Sequence, residues 1–235
     1  MTTFDQLYAM PVAEVLIAGE RLLLHPYRAL YWPRLRWLVV SDLHLGKAAH
    51  FRKTGAALPE GQDEATMKRL EAVTDLFRPK RLLILGDLFH SHHNNQWATF
   101  TQWAREQTME LHLVVGNHDI LPMEQYADAG VETSIGSLFE GPFAWAHEPV
   151  EHSATYSIAG HIHPGVVLRG LSRERLKLPC FWFGEKGAIL PAFGMSTGLF
   201  RIRPKLSDRV FVSTDRAVMD VSSSFHRATK WKEQE

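Results

Sequence analysis

A chain of 235 residues, 45% hydrophobic and 22% charged, is long enough to bury a substantial core, and residues 1–221 read as one globular domain followed by a polar tail over 222–235. The 26 basic and 26 acidic side chains cancel, which excludes a protein that wraps duplex DNA through bulk charge alone but leaves room for a local basic patch. A single cysteine, Cys180, excludes an internal disulfide and a cysteine zinc site; it fits a reducing compartment, so the cytoplasm is the expected location. No basic segment followed by a long apolar stretch opens the sequence, and runs such as Leu82 to Leu85 are far too short to cross a bilayer, so a soluble, unprocessed protein is expected.

Val12 to Ile17 and Arg21 to Leu24 read as a hairpin turning through Ala18-Gly19-Glu20. Arg36 to Val40, Arg81 to Leu85 and Leu111 to Val115 are short apolar runs that end on Ser41-Asp42, Gly86-Asp87 and Gly116-Asn117; they predict buried strands. Between them, Glu60 to Phe77 carries apolar residues at helical spacing (Met67, Leu70, Val73, Leu76, Phe77), and Asn95 to Gln107 predicts a second helix. Strand and helix in alternation imply an α/β layer with a largely parallel sheet. After Tyr126 the pattern changes to short strands over Phe139 to Ala146, Tyr156 to Ala159, Val166 to Leu168, Ala188 to Pro191 and Val210 to Ser213, which predicts a second sheet.

Each of the first three apolar runs ends on a group that binds hard or borderline cations, and ligand crevices of α/β sheets lie beyond such strand ends. Asp42 and His44 are two residues apart, so in an extended segment they project to one side and grip one ion together. Asp87 offers two oxygens able to bridge two ions, Asn117 a neutral amide oxygen, and His147, His161 and His163 three imidazoles. Seven ligands sharing one carboxylate make two positions of about four ligands each. Two ions roughly 3.5 to 4 Å apart lower the pKa of a shared water towards about 7, so that hydroxide is available to attack a phosphate ester.

The motifs Asp42-Leu43-His44, Gly86-Asp87, Gly116-Asn117-His118-Asp119 and Gly160-His161-Ile162-His163, in this order and with His147 between the last two, resemble the calcineurin-like metallophosphoesterase superfamily. The resemblance implies an α/β fold with a two-sheet β-sandwich core flanked by helices and βαβ-type crossovers. It also implies two divalent ions, commonly manganese, iron or zinc, with Mn²⁺ the first expectation. By motif position one ion would take Asp42, His44, Asp87 and His163, and the other Asp87, Asn117, His147 and His161, while His118 would protonate or stabilise the leaving oxygen. A closer resemblance rests on Ser41-Asp42-Leu43-His44-Leu45-Gly46-Lys47, Gly86-Asp87-Leu88-Phe89-His90-Ser91, His147-Glu148-Pro149 and Gly160-His161-Ile162-His163-Pro164. These are similar to bacterial phosphoesterases associated with a DNA ligase and helicase repair cluster, often described as endonucleases. That likeness implies a phosphodiester substrate, DNA or RNA, and a functional association with a ligase and a helicase. Where protein phosphatases of the superfamily carry an aspartate to orient the catalytic histidine, this chain has His90, which leaves Asp119 as a candidate for that task.

Lys47, Arg52 and His90 are the candidate substrate contacts, each set against an ordinary solvated or supporting role. Arg169, Arg173, Arg175 and Lys177, with Phe181, Trp182 and Phe183 just beyond, form a basic and aromatic stretch that suits single-stranded nucleic acid; a charged loop beside core or dimer-contact aromatics is the plainer alternative. The rival functions are a phosphomonoesterase, a nucleotide or lipid pyrophosphohydrolase, and a non-catalytic binding module on the same fold. Oligomeric state is open, a homo-oligomer included.

Overall fold

Seven strands form the first sheet in chain order: β1 (Ala13–Ile17), β2 (Glu20–His25), β3 (Ala29–Trp32), β4 (Trp37–Ser41), β5 (Arg81–Leu85), β6 (Glu110–Val114) and β7 (Val131–Ser134). β1 to β4 are antiparallel neighbours and β4 to β7 parallel ones. The sheet is therefore parallel in the half that bears the candidate metal-binding motifs and antiparallel in the half that opens with the expected hairpin. Helices α1 (Gln62–Phe77), α2 (Asn95–Arg105) and α3 (Met123–Asp128) make the crossovers. The protein is described here from a computed structural model, which covers residues 10–47, 59, 61–90, 95–151, 154–169 and 174–225.

β4, β5 and β6 read as unbroken apolar runs because both of their faces are covered. Leu38, Val40, Leu82, Ile84, Leu111 and Leu113 pack under Leu70 and Val73 of α1 and Phe100 and Trp103 of α2. Val39, Leu83, Leu85 and Val114 point the other way and meet Phe143, Trp145, Ile158 and Phe181. α1 ends where Arg78 turns left-handed at φ 42° and its N–H bonds Thr74 O, and Pro79 follows, which cannot extend a helix. The hairpin between β1 and β2 turns on Ala18 and Gly19, both with positive φ, the conformation that matches the twist of the flanking strands.

Phe143, Trp145, Ile158 and Phe181 belong to the second sheet, ordered β14-β11-β12-β13-β10-β9-β8 with β15 and β16 continuing from β12. Its strands are β8 (Ser137–Glu140), β9 (Phe143–Ala146), β10 (Tyr156–Ala159), β11 (Pro164–Arg169), β12 (Arg175–Phe183), β13 (Gly187–Ile189), β14 (Phe200–Arg201), β15 (Arg209–Ser213) and β16 (Val218–Asp220). The single strand expected over Phe139 to Ala146 is two, because Gly141, at φ 56°, and Pro142 turn the chain between β8 and β9. Phe181 and Phe183 are core residues rather than a stacking platform. A third apolar cluster of Val166, Cys180, Val210 and Val212 is covered in part by Phe225. Val221 packs against the same cluster.

Candidate metal centre

Every candidate ligand lies at the carboxyl end of a strand or immediately before one, and the strands of both sheets deliver them to one place. Asp42 follows β4, Asp87 follows β5, Asn117 follows β6, His147 follows β9, His161 follows β10, and His163 precedes β11. The backbone there is not extended. Asp42, His44, Asp87, His161 and His163 have φ of 53°, 49°, 53°, 65° and 51°. A left-handed conformation costs a non-glycine residue roughly 1 to 2 kcal/mol, so five of them together must be held by their surroundings, as happens at functional sites. The two-residue spacing of Asp42 and His44 does bring them together, but through paired left-handed turns and not through a strand's pleat. The glycines preceding the ligands make room: a Cβ on Gly86 would fall 2.2 Å from His147 Nδ1, and one on Gly160 2.6 Å from Asp42 Oδ2.

Two triads result, Asp42 with His44 and His163, and Asp87 with His147 and His161, each with ligand atoms within 4.8 Å of one another. In the first, His44 Nε2 lies 3.2 Å from His163 Nε2, which lies 3.3 Å from Asp42 Oδ1. In the second, His147 Nε2 lies 2.9 Å from Asn117 Oδ1, 3.1 Å from His161 Nδ1 and 3.4 Å from Asp87 Oδ1. Asp87 joins the two, since its other oxygen, Oδ2, is 3.6 Å from His44 Nε2.

This arrangement fits cations. His147 Nδ1 sits 3.0 Å from the carbonyl of Leu85; a carbonyl only accepts, so Nδ1 carries the proton and Nε2 of the neutral ring presents a lone pair. That lone pair faces the oxygens of Asn117 and Asp87, acceptors with no proton to share. Burial, and after it the nearby positive charge of Lys47, pushes the His44 pKa down, which keeps this ring in the neutral form that binds metal. Asp42 and Asp87 are 0% and 2% exposed, and among the described residues neither has an arginine or lysine at ion-pairing distance. Buried carboxylates without a counter-charge are strongly unfavourable; two divalent ions would supply it.

The residues around the triads differ in part from expectation. His118 is half-buried, its N–H donates to Asp87 Oδ1 at 3.0 Å, and its ring stacks on His90 with centroids 4.8 Å apart. Asp119, one candidate for the acid that orients His118, turns its oxygens to backbone donors: they accept from the N–H groups of Asp87 at 2.8 Å, Leu88 at 2.9 Å and Gly116 at 2.8 Å. It clamps the end of β5 to the end of β6. Burial raises its pKa to about 6 against the pull of those donors, with the charge of Asp87 adding to the rise. His90, a candidate substrate contact or support, packs its ring against those of His44 and His118, with centroids 5.5 and 4.8 Å away. Lys47 is half-buried, and the charges of Asp87 and Asp42 partly offset the lowering of its pKa by burial. Arg52 lies outside the described residues. The sequence reading gave the segment 192–194 no role at the site, yet Phe193 N–H bonds Ser41 O at 2.8 Å and Gly194 N–H bonds Asp42 O at 3.1 Å; a Cβ on Gly194 would meet Leu43 O at 2.3 Å.

The clamp makes a prediction. Asp119→Ala strands three backbone donors, at roughly 1 to 3 kcal/mol for each that stays buried and unpaired, so the urea midpoint should fall clearly and metal affinity should drop about 10- to 100-fold. Urea denaturation and metal titration check this. An unchanged midpoint with turnover alone lost would return Asp119 to the chemistry.

The sequence pattern of the calcineurin-like phosphoesterases matches residues 35–177, the stretch from the start of β4 into β12 that carries all seven ligands. The chain belongs to this family and is a metallophosphoesterase with a two-cluster metal centre. Nuclease MPE from Pseudomonas putida is similar to it: the two are 32% identical over 88% of this chain and 100% of that one, with a TM-score of 0.76. More distant likenesses are AQ665 from Aquifex aeolicus, at 18% identity over 54% of this chain and 78% of that one, and the E. coli phosphoesterase Yfce, at 12% over 79% and 98%. Their TM-scores are 0.42 and 0.40. No curated protein sequence matches.

Proposed function

We propose that the chain is a nuclease: a phosphodiesterase that uses two divalent ions, Mn²⁺ first among them, to hydrolyse DNA or RNA. The observation that carries the reading is the meeting of proton-poor ligand atoms around Asp87, on a chain similar over 88% of its length to a nuclease. Oxygen and imidazole donors without a thiolate suit manganese, and iron or zinc would also be held. When bound, the ions supply an acidified water as nucleophile and neutralise charge on the phosphate. Asp42, His44, Asp87 and His163 would hold one, and Asp87, Asn117, His147 and His161 the other. His118 would hand a proton from a ring nitrogen to the leaving oxygen, and Lys47 would bind a phosphate oxygen. The buried free thiol of Cys180 supports a cytoplasmic location, and work beside a DNA ligase and helicase in repair is the role we assign.

A diester is favoured over a monoester because a dianionic phosphate needs an added cation, and the segment after His118 offers none: Asp119-Ile120-Leu121-Pro122. With Mn²⁺ bound, kcat/KM for bis-p-nitrophenyl phosphate should exceed that for p-nitrophenyl phosphate by at least about tenfold, a transition-state difference of ~1.4 kcal/mol. A preference for the monoester would overturn the assignment.

A further inference from the structure

We infer that the outer face of the β14-β11-β12 sheet is a track for the phosphates of one nucleic-acid strand, running from His163 outward along Arg201, Lys177 and Arg175. The inference rests on the nuclease reading above and names side chains that would hold the polymer. Strand register puts the three cations on one face. Arg201 is opposite Gly165 and Lys177 opposite Val167; residues 165 and 167 share a face, as do Lys177 and Arg175, because side chains alternate along a strand. At about 3.3 Å per residue, the cations stand roughly 7, 13 and 20 Å from the level of His163. Phe200 N–H bonds the carbonyl of His163 at 2.9 Å, so the inner end of the track is fixed directly to a candidate ligand.

The opposite face of the same strands is apolar, with Val166, Leu178 and Ile202 packed in the third cluster, so the basic face is the one left to solvent. Arg175, Lys177 and Arg201 are exposed. Lys177 Nζ donates to the carbonyl of Leu199, which lies on the Gly165 side of the sheet. Among the described residues none of the three cations forms an ion pair. Among the side chains described in 163–177 and 199–205, Arg175, Lys177, Arg201, Arg203 and Lys205 stand against one acid, Glu174, in a chain whose 26 basic and 26 acidic residues cancel overall. That concentration beside the metal centre is charge complementarity to a polyanion. The cations form a single file, which follows one backbone; a duplex held across a groove would call for two. Register turns the ring of Phe200 to the other face with Pro164, so the track binds by charge and not by the aromatic stacking that the sequence suggested.

The test uses the full chain with Mn²⁺, a labelled DNA single strand and bis-p-nitrophenyl phosphate. In the variant R175Q/K177Q/R201Q, strand binding read by fluorescence anisotropy should lose about 0.7 per contact from its log–log salt slope, or about 2 in all. Its kcat/KM on the strand should fall tenfold or more at low salt while the small diester changes less than about twofold, and R175K/R201K should keep the wild-type slope. Unchanged slope and strand cleavage in the triple variant would overturn the track and leave the nuclease reading intact. An equal fall on both substrates would also overturn it, by tying the three side chains to the centre itself. If wild type hydrolyses the small diester but neither binds nor cuts the strand, the nuclease reading fails and the track with it.

Discussion

Asp87→Asn should abolish binuclear loading and lower turnover of a chromogenic diester by roughly 10²- to 10³-fold or more, the scale of losing a main electrostatic contact in a reaction centre. The substitution preserves shape and removes charge. Asp87 Oδ1 faces His147 and Oδ2 faces His44, so the carboxylate serves both clusters, and an amide presents one oxygen and an NH₂ group with no lone pair. The same side chain accepts the N–H of His118, a bond that the amide oxygen can keep but without the help of a negative charge. Elemental analysis should find fewer than two ions per chain, and excess Mn²⁺ should restore little activity. Wild type stripped with a chelator should lose activity and regain it on adding Mn²⁺, which separates loss of metal from loss of fold. Full loading of the Asn variant with two ions would sink the bridging role.

The centre was legible in the sequence because its ligands sit in short motifs at the ends of apolar runs, and a run such as Arg81 to Leu85 signals a strand buried on both faces. The backbone geometry was not. Nothing in Asp42-Leu43-His44 announces two left-handed residues, because that conformation is imposed by tertiary contacts, among them Asp42 N–H to Gly86 O at 3.1 Å and His44 N–H to Asp87 O at 2.9 Å. The backbone contacts of Asp119 were hidden for a related reason. Its place beside His118 suggested an acid next to a catalytic base, whereas in a tight loop adjacent residues project differently and Asp119 turns inward to backbone donors. β12, at nine residues the longest strand, was hidden by its two environments: Arg175 to Lys177 lie on an open sheet and read as loop, while Cys180 to Phe183 are largely buried. β3 and β7 escaped notice because four-residue strands carry too little alternation to stand out.

Removing the proposed acid should look different from removing a ligand. His118→Ala should keep both ions and lower kcat by about 10²- to 10⁴-fold on a substrate with a poor leaving group, the range for a positioned general acid. The geometry that motivates this puts the ring against His44 at a centroid distance of 5.5 Å and flat on His90, so it adjoins the centre yet belongs to neither triad. Its neighbours fix its orientation, and no carboxylate contact is needed to explain it. A p-nitrophenolate leaves without help, so the variant should lose least on bis-p-nitrophenyl phosphate and most on an alkyl diester or a nucleic-acid strand, whose departing oxygen needs a proton. Metal content by elemental analysis, together with kcat across diesters of rising leaving-group pKa, checks both halves. The variant's rate should fall more steeply with leaving-group pKa than that of wild type. Loss of an ion would move His118 into the coordination sphere, and an unchanged dependence on the leaving group would remove it from proton transfer.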